Sequence, residues 1–409
     1  MPPTQIYGGR CLKECLDSDP DFFRNLFSRR HKAGLRLHQK LIWYSDPVPH
    51  CSLREKRAVV QSSNVQAFLH ANVVRVQLNE SASSVDHLVV ATPQGQRFRV
   101  RARAYVLAAG GIETPRLLLA SNDVQPAGVG NQNDLVGRFF MEHPKGTVGY
   151  VEASRPRELL EIYRKYLPKA SVPYWPSLRL SPELQTKERT LNTSVALYYE
   201  FAPGSGAAAI LGIYNDLAAG HRPSNLLRRA GQIAVDLDKP FRALYQYFVQ
   251  RKLPVISPGR LHFLSRGEQA PNPGSRITLG TDQDGLGLPR VRLKWQIGAL
   301  DKHSLAVLIR ALGDEFQRLG LGGVAVADWL VDDSLNWPDI LGGHHHMGTT
   351  RMSDDPKLGV VDRNCRVHGP HNLYIAGSSV FPTGGCANPT LMIVAMSLRL
   401  GDHLRAALC

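Results

Sequence analysis

Ala104-Tyr105-Val106-Leu107-Ala108-Ala109-Gly110-Gly111-Ile112-Glu113-Thr114-Pro115-Arg116-Leu117-Leu118-Leu119 is a compact apolar run that stops at two glycines and then resumes as an apolar segment of helical length. The run reads as a buried strand, with Thr114 and Pro115 as the N-cap and first-turn pair of the helix that follows. A strand turning through glycine into a helix is where an open α/β sheet commonly receives a nucleotide, although an ordinary strand-to-helix turn has the same spacing. Upstream, residues 66–76 (QAFLHANVVRV), 88–91 (LVVA) and the alternating 97–103 (RFRVRAR) read as successive strands around a polar turn region at 79–86. Downstream, residues 195–201, 277–279 and 291–297 read as strands, 224–247 as mostly helix and 304–319 as an amphipathic helix. Asp284-Gly285-Leu286-Gly287 is a turn that makes a hairpin of residues 275–295. The simplest architecture is a nucleotide-binding unit interrupted by a mixed β-sheet with helices and resumed near the C-terminus.

The chain has 409 residues, 43% hydrophobic and 21% charged, enough for about two globular domains with ample cores. Lys and Arg outnumber Asp and Glu by 49 to 35, giving a net charge of +14. The basic residues fall in scattered clusters, Arg29-Arg30-His31-Lys32, Arg54-Glu55-Lys56-Arg57, residues 97–103 and Arg228-Arg229, rather than in one stripe interleaved with aromatics. That distribution argues against a nucleic-acid partner and reads as solvated surface or a face that meets an acidic partner. The six cysteines are too sparse for a disulfide framework, which fits a reducing compartment. With Met1 as the true start there is no secretory signal, and no apolar run reaches the length of a membrane span, so the cytoplasm is the expected location. Within residues 1–60, Phe22, Phe23, Leu26 and Phe27 suggest one short amphipathic helix in an otherwise irregular, basic segment.

The chemistry concentrates toward the C-terminus, in Gly343-His344-His345-His346-Met347-Gly348-Thr349-Thr350-Arg351-Met352, Asn372-Leu373-Tyr374-Ile375-Ala376-Gly377-Ser378-Ser379 and Gly384-Gly385-Cys386-Ala387-Asn388-Pro389-Thr390. In this order they supply a candidate base, a short strand ending in a Gly/Ser turn, and an Asn where a helix begins. Three histidines in a row invite a metal reading, but in an extended segment His345 faces away from His344 and His346, so at most two could share an ion and none is expected.

Residues 343–352, the Val360-Val361-Asp362 step, residues 372–382 and 386–396 closely resemble the C-terminal half of the glucose-methanol-choline (GMC) oxidoreductases, FAD enzymes that act on alcohols and sugars. Residues 71–76, 105–122, 137–144 and 273–295 are similar to other parts of that family, so the resemblance covers about residues 60–409. After the irregular, basic N-terminal segment over 1–60, it implies an α/β fold with part of an FAD-binding, Rossmann-like domain over 61–140, a substrate-binding domain with mixed β-sheet and helices over 141–300, and a C-terminal part over 301–409 that completes the FAD domain and active site. In the family the base sits three residues before a Gly-Thr step, which falls on His345, and its His or Asn partner falls on Asn388. A neutral imidazole accepts the hydroxyl proton while the carbinol carbon delivers hydride to flavin N5, and a carboxamide can hydrogen-bond the same oxygen. The residue-level alternative for Asn388 is local capping of the helix after it. By the same resemblance Val73 and Val74 would lie near the adenine, Ala109 and Gly110 near the ADP portion, and Gly377 and Ser378 near the pyrophosphate or ribityl chain. Pro389 and Thr390 would open a helix over 390–400 whose N-terminal N–H groups face the flavin pyrimidine.

One family feature does not occur in these residues. GMC enzymes begin with a strand, a G-x-G-x-x-G turn and a helix that hold the FAD pyrophosphate, and Gly320-Leu321-Gly322-Gly323 follows a helix and lacks the third glycine. The expectation is therefore an FAD-dependent alcohol or sugar dehydrogenase or oxidase whose N-terminal strand-GxGxxG-helix portion is missing here and could be supplied by a partner chain. The alternative is a truncated, non-catalytic remnant or subunit that does not hold FAD by itself.

Overall fold

The computed structural model describes residues 37–43, 61–163, 174–218, 220–239, 242, 245–250, 255–332 and 342–408. The short helix expected around Phe22–Phe27 lies outside these residues. The described residues form two compact units, one drawn from within 1–50, 145–266 and 303–339, the other from within 51–144, 267–302 and 340–409.

The first unit is built on a six-stranded sheet in the order β1-β7-β8-β9-β6-β12, with β1 at Leu37–Trp43, β6 at Thr147–Ala153, β7 at Tyr174–Leu180, β8 at Ser194–Phe201, β9 at Pro258–Arg266 and β12 at Gly322–Val326. Each neighbouring pair is antiparallel. Strand β1 lies in the stretch read as irregular: its apolar residues Leu37, Leu41, Ile42 and Trp43 do not alternate, and pairing with β7 rather than its own pattern makes it a strand. Helix α6 (Ala299–Arg318) gives this unit Leu305, Leu308, Ile309, Leu312 and Phe316, at helical spacing, against Val148, Leu178, Leu197 and Phe263 of the sheet. Helix α2 (Pro156–Tyr163) adds Leu159, Leu160 and Tyr163 to the same core. Helix α3 (Pro182–Glu188) starts where Ser181 accepts from Leu184 N, with Pro182 in its first turn, and ends at left-handed Arg189. Helices α4 (Gly206–Ala218) and α5 (Leu226–Val235) are joined by an Arg229–Asp216 ion pair at 2.7 Å.

The second unit carries an antiparallel meander of β2 (Asn72–Leu78), β3 (Val85–Ala91) and β4 (Arg97–Val100), the expected hairpin of β10 (Arg276–Gln283) and β11 (Pro289–Lys294), and a parallel pair, β5 (Tyr105–Leu107) with β13 (Leu373–Ile375). Its core joins Val76 and Val85 of the meander to Tyr105, Leu107, Leu373 and Ile375 of the parallel pair, Leu117 and Leu118 of helix α1 (Gly110–Ala120), and Leu400 of helix α7 (Thr390–Leu408). The α/β class with sheets and helices expected from sequence is the one observed. Helix α1 is tied to the hairpin by Arg116, which bonds the carbonyls of Pro289 and Leu288 and the Asp284 carboxylate. Burial raises the Asp284 pKa, but Arg116 and the amides of Leu286 and Leu288 outweigh it and hold the carboxyl below its usual range.

Helix α1 starts earlier than its sequence signals indicate. Its N-cap is Ala109 and Pro115 lies inside it, so Thr114 is a buried helical residue and not the cap. Proline has no N–H for the carbonyl four residues back, that of Gly111, and Thr349 Oγ1 donates to that oxygen at 2.7 Å. A tertiary hydrogen bond thus replaces the helical one. Among the described residues no helix is long and apolar enough to cross a membrane.

Leu118 is fully buried in the second unit's core. Leu118→Ala is expected to cost about 2–5 kcal/mol, read as a lower urea midpoint of unfolding; an unchanged midpoint would show that this core is not formed in solution.

Candidate active site

The parallel pair sets the frame. Tyr105 registers with Leu373 and Leu107 with Ile375, and Ala376 N donates to Leu107 O at 2.9 Å, so both strands end together. Two turns emerge side by side there: exposed Ala108 and Ala109 lead into Gly110 with φ +81°, and Ala376 leads into Gly377 with φ +127°. Beside both glycines, the space a Cβ would take is open. Four of the candidate cofactor-binding residues, Ala109, Gly110, Gly377 and Ser378, are therefore brought together. Val73 and Val74 lie on β2, which joins α1 at the helix's other end, where Val76 N donates to Ser121 Oγ at 2.9 Å.

The histidine segment is threaded against these turns. Met347 pairs with Met141 in an antiparallel bridge, Gly348 N donates to Ser378 O at 3.2 Å, and Thr350 N donates to Ser379 O at 2.9 Å. Ser378 Oγ donates to His346 O at 2.7 Å. A Cβ on Gly111 would lie 2.6 Å from His346 O, so only glycine lets α1 approach this strand so closely. The alternation expected of an extended segment does not hold: His344 has φ +57°, the chain bends there, and His344 is exposed while His345 and His346 are half-buried.

What turns this loop is a buried carboxylate. Glu142 accepts from Gly343 N at 2.9 Å, from His345 N at 3.0 Å and from His143 N at 3.2 Å, and its Oε1 lies 3.2 Å from His346 Nε2. The neighbouring His143 links the two halves of the site. Its ring packs edge-on to that of His345 with centroids 5.0 Å apart, and its Nε2 lies 3.0 Å from Ala387 O, one residue before Asn388. Its Nδ1 lies 3.1 Å from Gly267 O; a neutral ring donates to one of these carbonyls, an imidazolium to both. The second loop has its own anchor, since Glu268 Oε1 accepts from Gly385 N at 3.0 Å. Asn388 is exposed, Pro389 is buried with its carbonyl accepting from Ile393 N at 2.9 Å, and Thr390 opens α7, which runs eight residues past the expected end at Leu400.

Sequence reasoning assigned no role to Glu142, His143 or Glu268. The signal for the first two was present: Arg138-Phe139-Phe140-Met141-Glu142-His143-Pro144 sets an acid and an imidazole side by side at the end of an apolar run.

Comparison with known proteins agrees with this architecture. A family model described as GMC oxidoreductase matches residues 271–397. The chain is 26% identical over 353 residues to the fructose dehydrogenase large subunit of Gluconobacter japonicus, covering 85% of this chain and 55% of that protein. It is 26% identical to the 2-methyl-1,2-propanediol dehydrogenase of Mycolicibacterium austroafricanum, covering 82% and 53%, and 35% identical over 126 residues to a C-glycoside 3-oxidase of Microbacterium trichothecenolyticum, covering 30% and 23%. It thus spans about half the length of the first two of these curated relatives. Among solved structures, pyridoxine 4-oxidase from Mesorbium loti superposes with a TM-score of 0.50 at 17% identity, over 86% of this chain and 60% of that one, a likeness of fold alone. Over residues 271–397 the chain thus matches the GMC oxidoreductases, and the two relatives it aligns with at greater length are dehydrogenases.

Proposed function

We propose that this chain is the catalytic portion of an FAD-dependent oxidoreductase that oxidises a CH–OH group of a sugar, polyol or other alcohol, with His345 as base and Asn388 as its partner. The supporting observation is the link through His143, which sets the His345 ring and the Ala387-Asn388 backbone against one imidazole. Fructose, a propanediol and a C-glycoside in the relatives' names favour a polyhydroxylated substrate.

The residues present fit a flavin where they line open space. Gly110 and Gly377 leave room for close approach of a cofactor at the ends of two parallel strands, the position where such sheets bind nucleotides. Ala109, Gly110, Gly377 and Ser378 would hold it there, Val73 and Val74 would flank the adenine, and Pro389 and Thr390 would present the N-terminal end of α7. FAD, when bound, supplies the hydride acceptor. The His345 imidazole takes the hydroxyl proton, which raises the electron density on the carbinol carbon, and the Asn388 carboxamide donates a hydrogen bond to the same oxygen and keeps it in line. No strand-GxGxxG-helix unit occurs within these 409 residues, so the phosphate cradle is proposed to come from outside them, from a partner chain or a further segment.

Purified by itself, the chain is expected to be colourless, its visible spectrum lacking stoichiometric flavin absorbance; a yellow protein with one flavin per chain would overturn that expectation. In the assembled, flavin-loaded enzyme His345→Ala is expected to slow flavin reduction by the alcohol by a factor on the order of a hundred or more, measured by anaerobic stopped flow. Unchanged reduction kinetics would remove His345 from the mechanism.

A further inference from the structure

Gly342 and Gly343 precede the histidines, and two consecutive glycines give a loop more backbone freedom than any other pair. A base that must meet a hydroxyl proton within hydrogen-bond reach needs the opposite, a single conformation. We propose that Glu142 is the positioning residue that supplies it, fixing the His345 backbone through charge-assisted hydrogen bonds. This rests on the reading of His345 as base.

The geometry carries the assignment. The Glu142 side chain is only 4% exposed, so its two oxygens need partners from the protein. The His345 amide lies 3.0 Å from both oxygens, the Gly343 amide 2.9 Å from Oε2, and the His346 ring nitrogen 3.2 Å from Oε1. Three groups of one short loop thus converge on a single carboxylate. Two backbone features permit it. His344 adopts φ +57°, a left-handed conformation that costs a non-glycine residue about 1–2 kcal/mol and reverses the chain around the carboxylate. A Cβ on Gly342 would stand a tight 3.2 Å from Glu142 Cδ, and one on Gly343 3.3 Å from His345 Nδ1, so the two glycines leave room for both side chains.

Glu142 is itself held in place. Its amide donates to Gln269 Oε1 at 2.9 Å, and that oxygen also accepts from Trp295 Nε1 at 2.9 Å. Gln269 is 1% exposed, so this anchor lies within the fold. The next residue, His143, carries the link to Ala387, so one dipeptide sets the backbone of the His345 loop with its first side chain and meets the Asn388 loop with its second.

Hydrogen exchange on the full chain tests this without cofactor. In Glu142→Gln the side chain keeps its shape, loses its charge and turns an N–H₂ toward the loop amides. Exchange at Gly343 and His345 is expected to speed up about tenfold or more, with protection in β5, β13 and α1 unchanged. Glu142→Asp, which keeps the charge with a shorter reach, is the second variant should the first fail to fold, and a smaller acceleration at the same two amides is expected. Unchanged exchange at these amides, or acceleration spread equally through the second unit's core, would overturn the proposal. In the assembled enzyme Glu142→Gln should lower kcat about tenfold with KM within about twofold, because positioning acts on proton transfer more than on substrate capture; equal losses in both would also overturn it. His345→Ala separates the two ideas: normal turnover in that variant removes the base, while the exchange result still reports whether Glu142 holds the loop.

Discussion

The second unit depends on a close backbone approach at Gly111. Pro115 leaves the carbonyl of Gly111 without its helical donor, and the Thr349 hydroxyl fills the place. A buried carbonyl left unpaired would cost about 1–3 kcal/mol, so the helix defect fastens α1 to the histidine segment. Glycine at 111 is the other half of the constraint, because the His346 carbonyl occupies the space a Cβ would need. Once the two backbones are in contact, Gly348 and Thr350 pair with Ser378 and Ser379, and the histidines lie beside the turns at the ends of β5 and β13.

The two loops of the candidate site are built alike. Each begins with a glycine pair, Gly342-Gly343 and Gly384-Gly385, and reaches its proposed chemical residue two or three positions later. In each the second glycine's N–H is accepted by a carboxylate from a distant part of the chain, Glu142 for one and Glu268 for the other. Glycine permits the sharp backbone path and the carboxylate removes the freedom that comes with it. Such loops are shaped chiefly by long-range polar contacts, since their own side chains contribute little apolar packing.

That distinction explains what the sequence made legible. The strand at Tyr105–Leu107, the β10–β11 hairpin and the helix after Pro389 follow from local patterns of apolar spacing, turn glycines and proline, and they are present. The start of α1 was misread because Thr114-Pro115 is a strong local cap signal, while the true start at Gly110 is fixed by a partner more than two hundred residues away in Thr349. The bend at His344 was equally hidden, since nothing in a run of three histidines reports that a glutamate at position 142 draws the following amide toward it. Family resemblance marks His345 and Asn388, whereas the roles of Glu142 and His143 lie in contacts with loops some two hundred residues away along the chain.

The exposed apolar surface bears on where the phosphate cradle comes from. The parallel sheet has two strands of three residues each and draws its stability from packing against the meander, α1 and α7. Val106 of β5 is 43% exposed, and on α7 Leu391, Met392 and Leu398 are each more than half exposed. These are the elements whose ends form the proposed cofactor site. Covering such side chains yields about 25 cal/mol per Å² of apolar surface, and another strand beside β5 would also satisfy backbone groups at the sheet's edge. A strand that turns through a phosphate cradle into a helix would meet both needs: its strand could extend the sheet, its helix could cover apolar surface, and its turn would lie beside Gly110 and Gly377. On the proposed reading, a segment that holds the cofactor at Gly110 and Gly377 would also cover the exposed apolar residues, because both fall on the same elements.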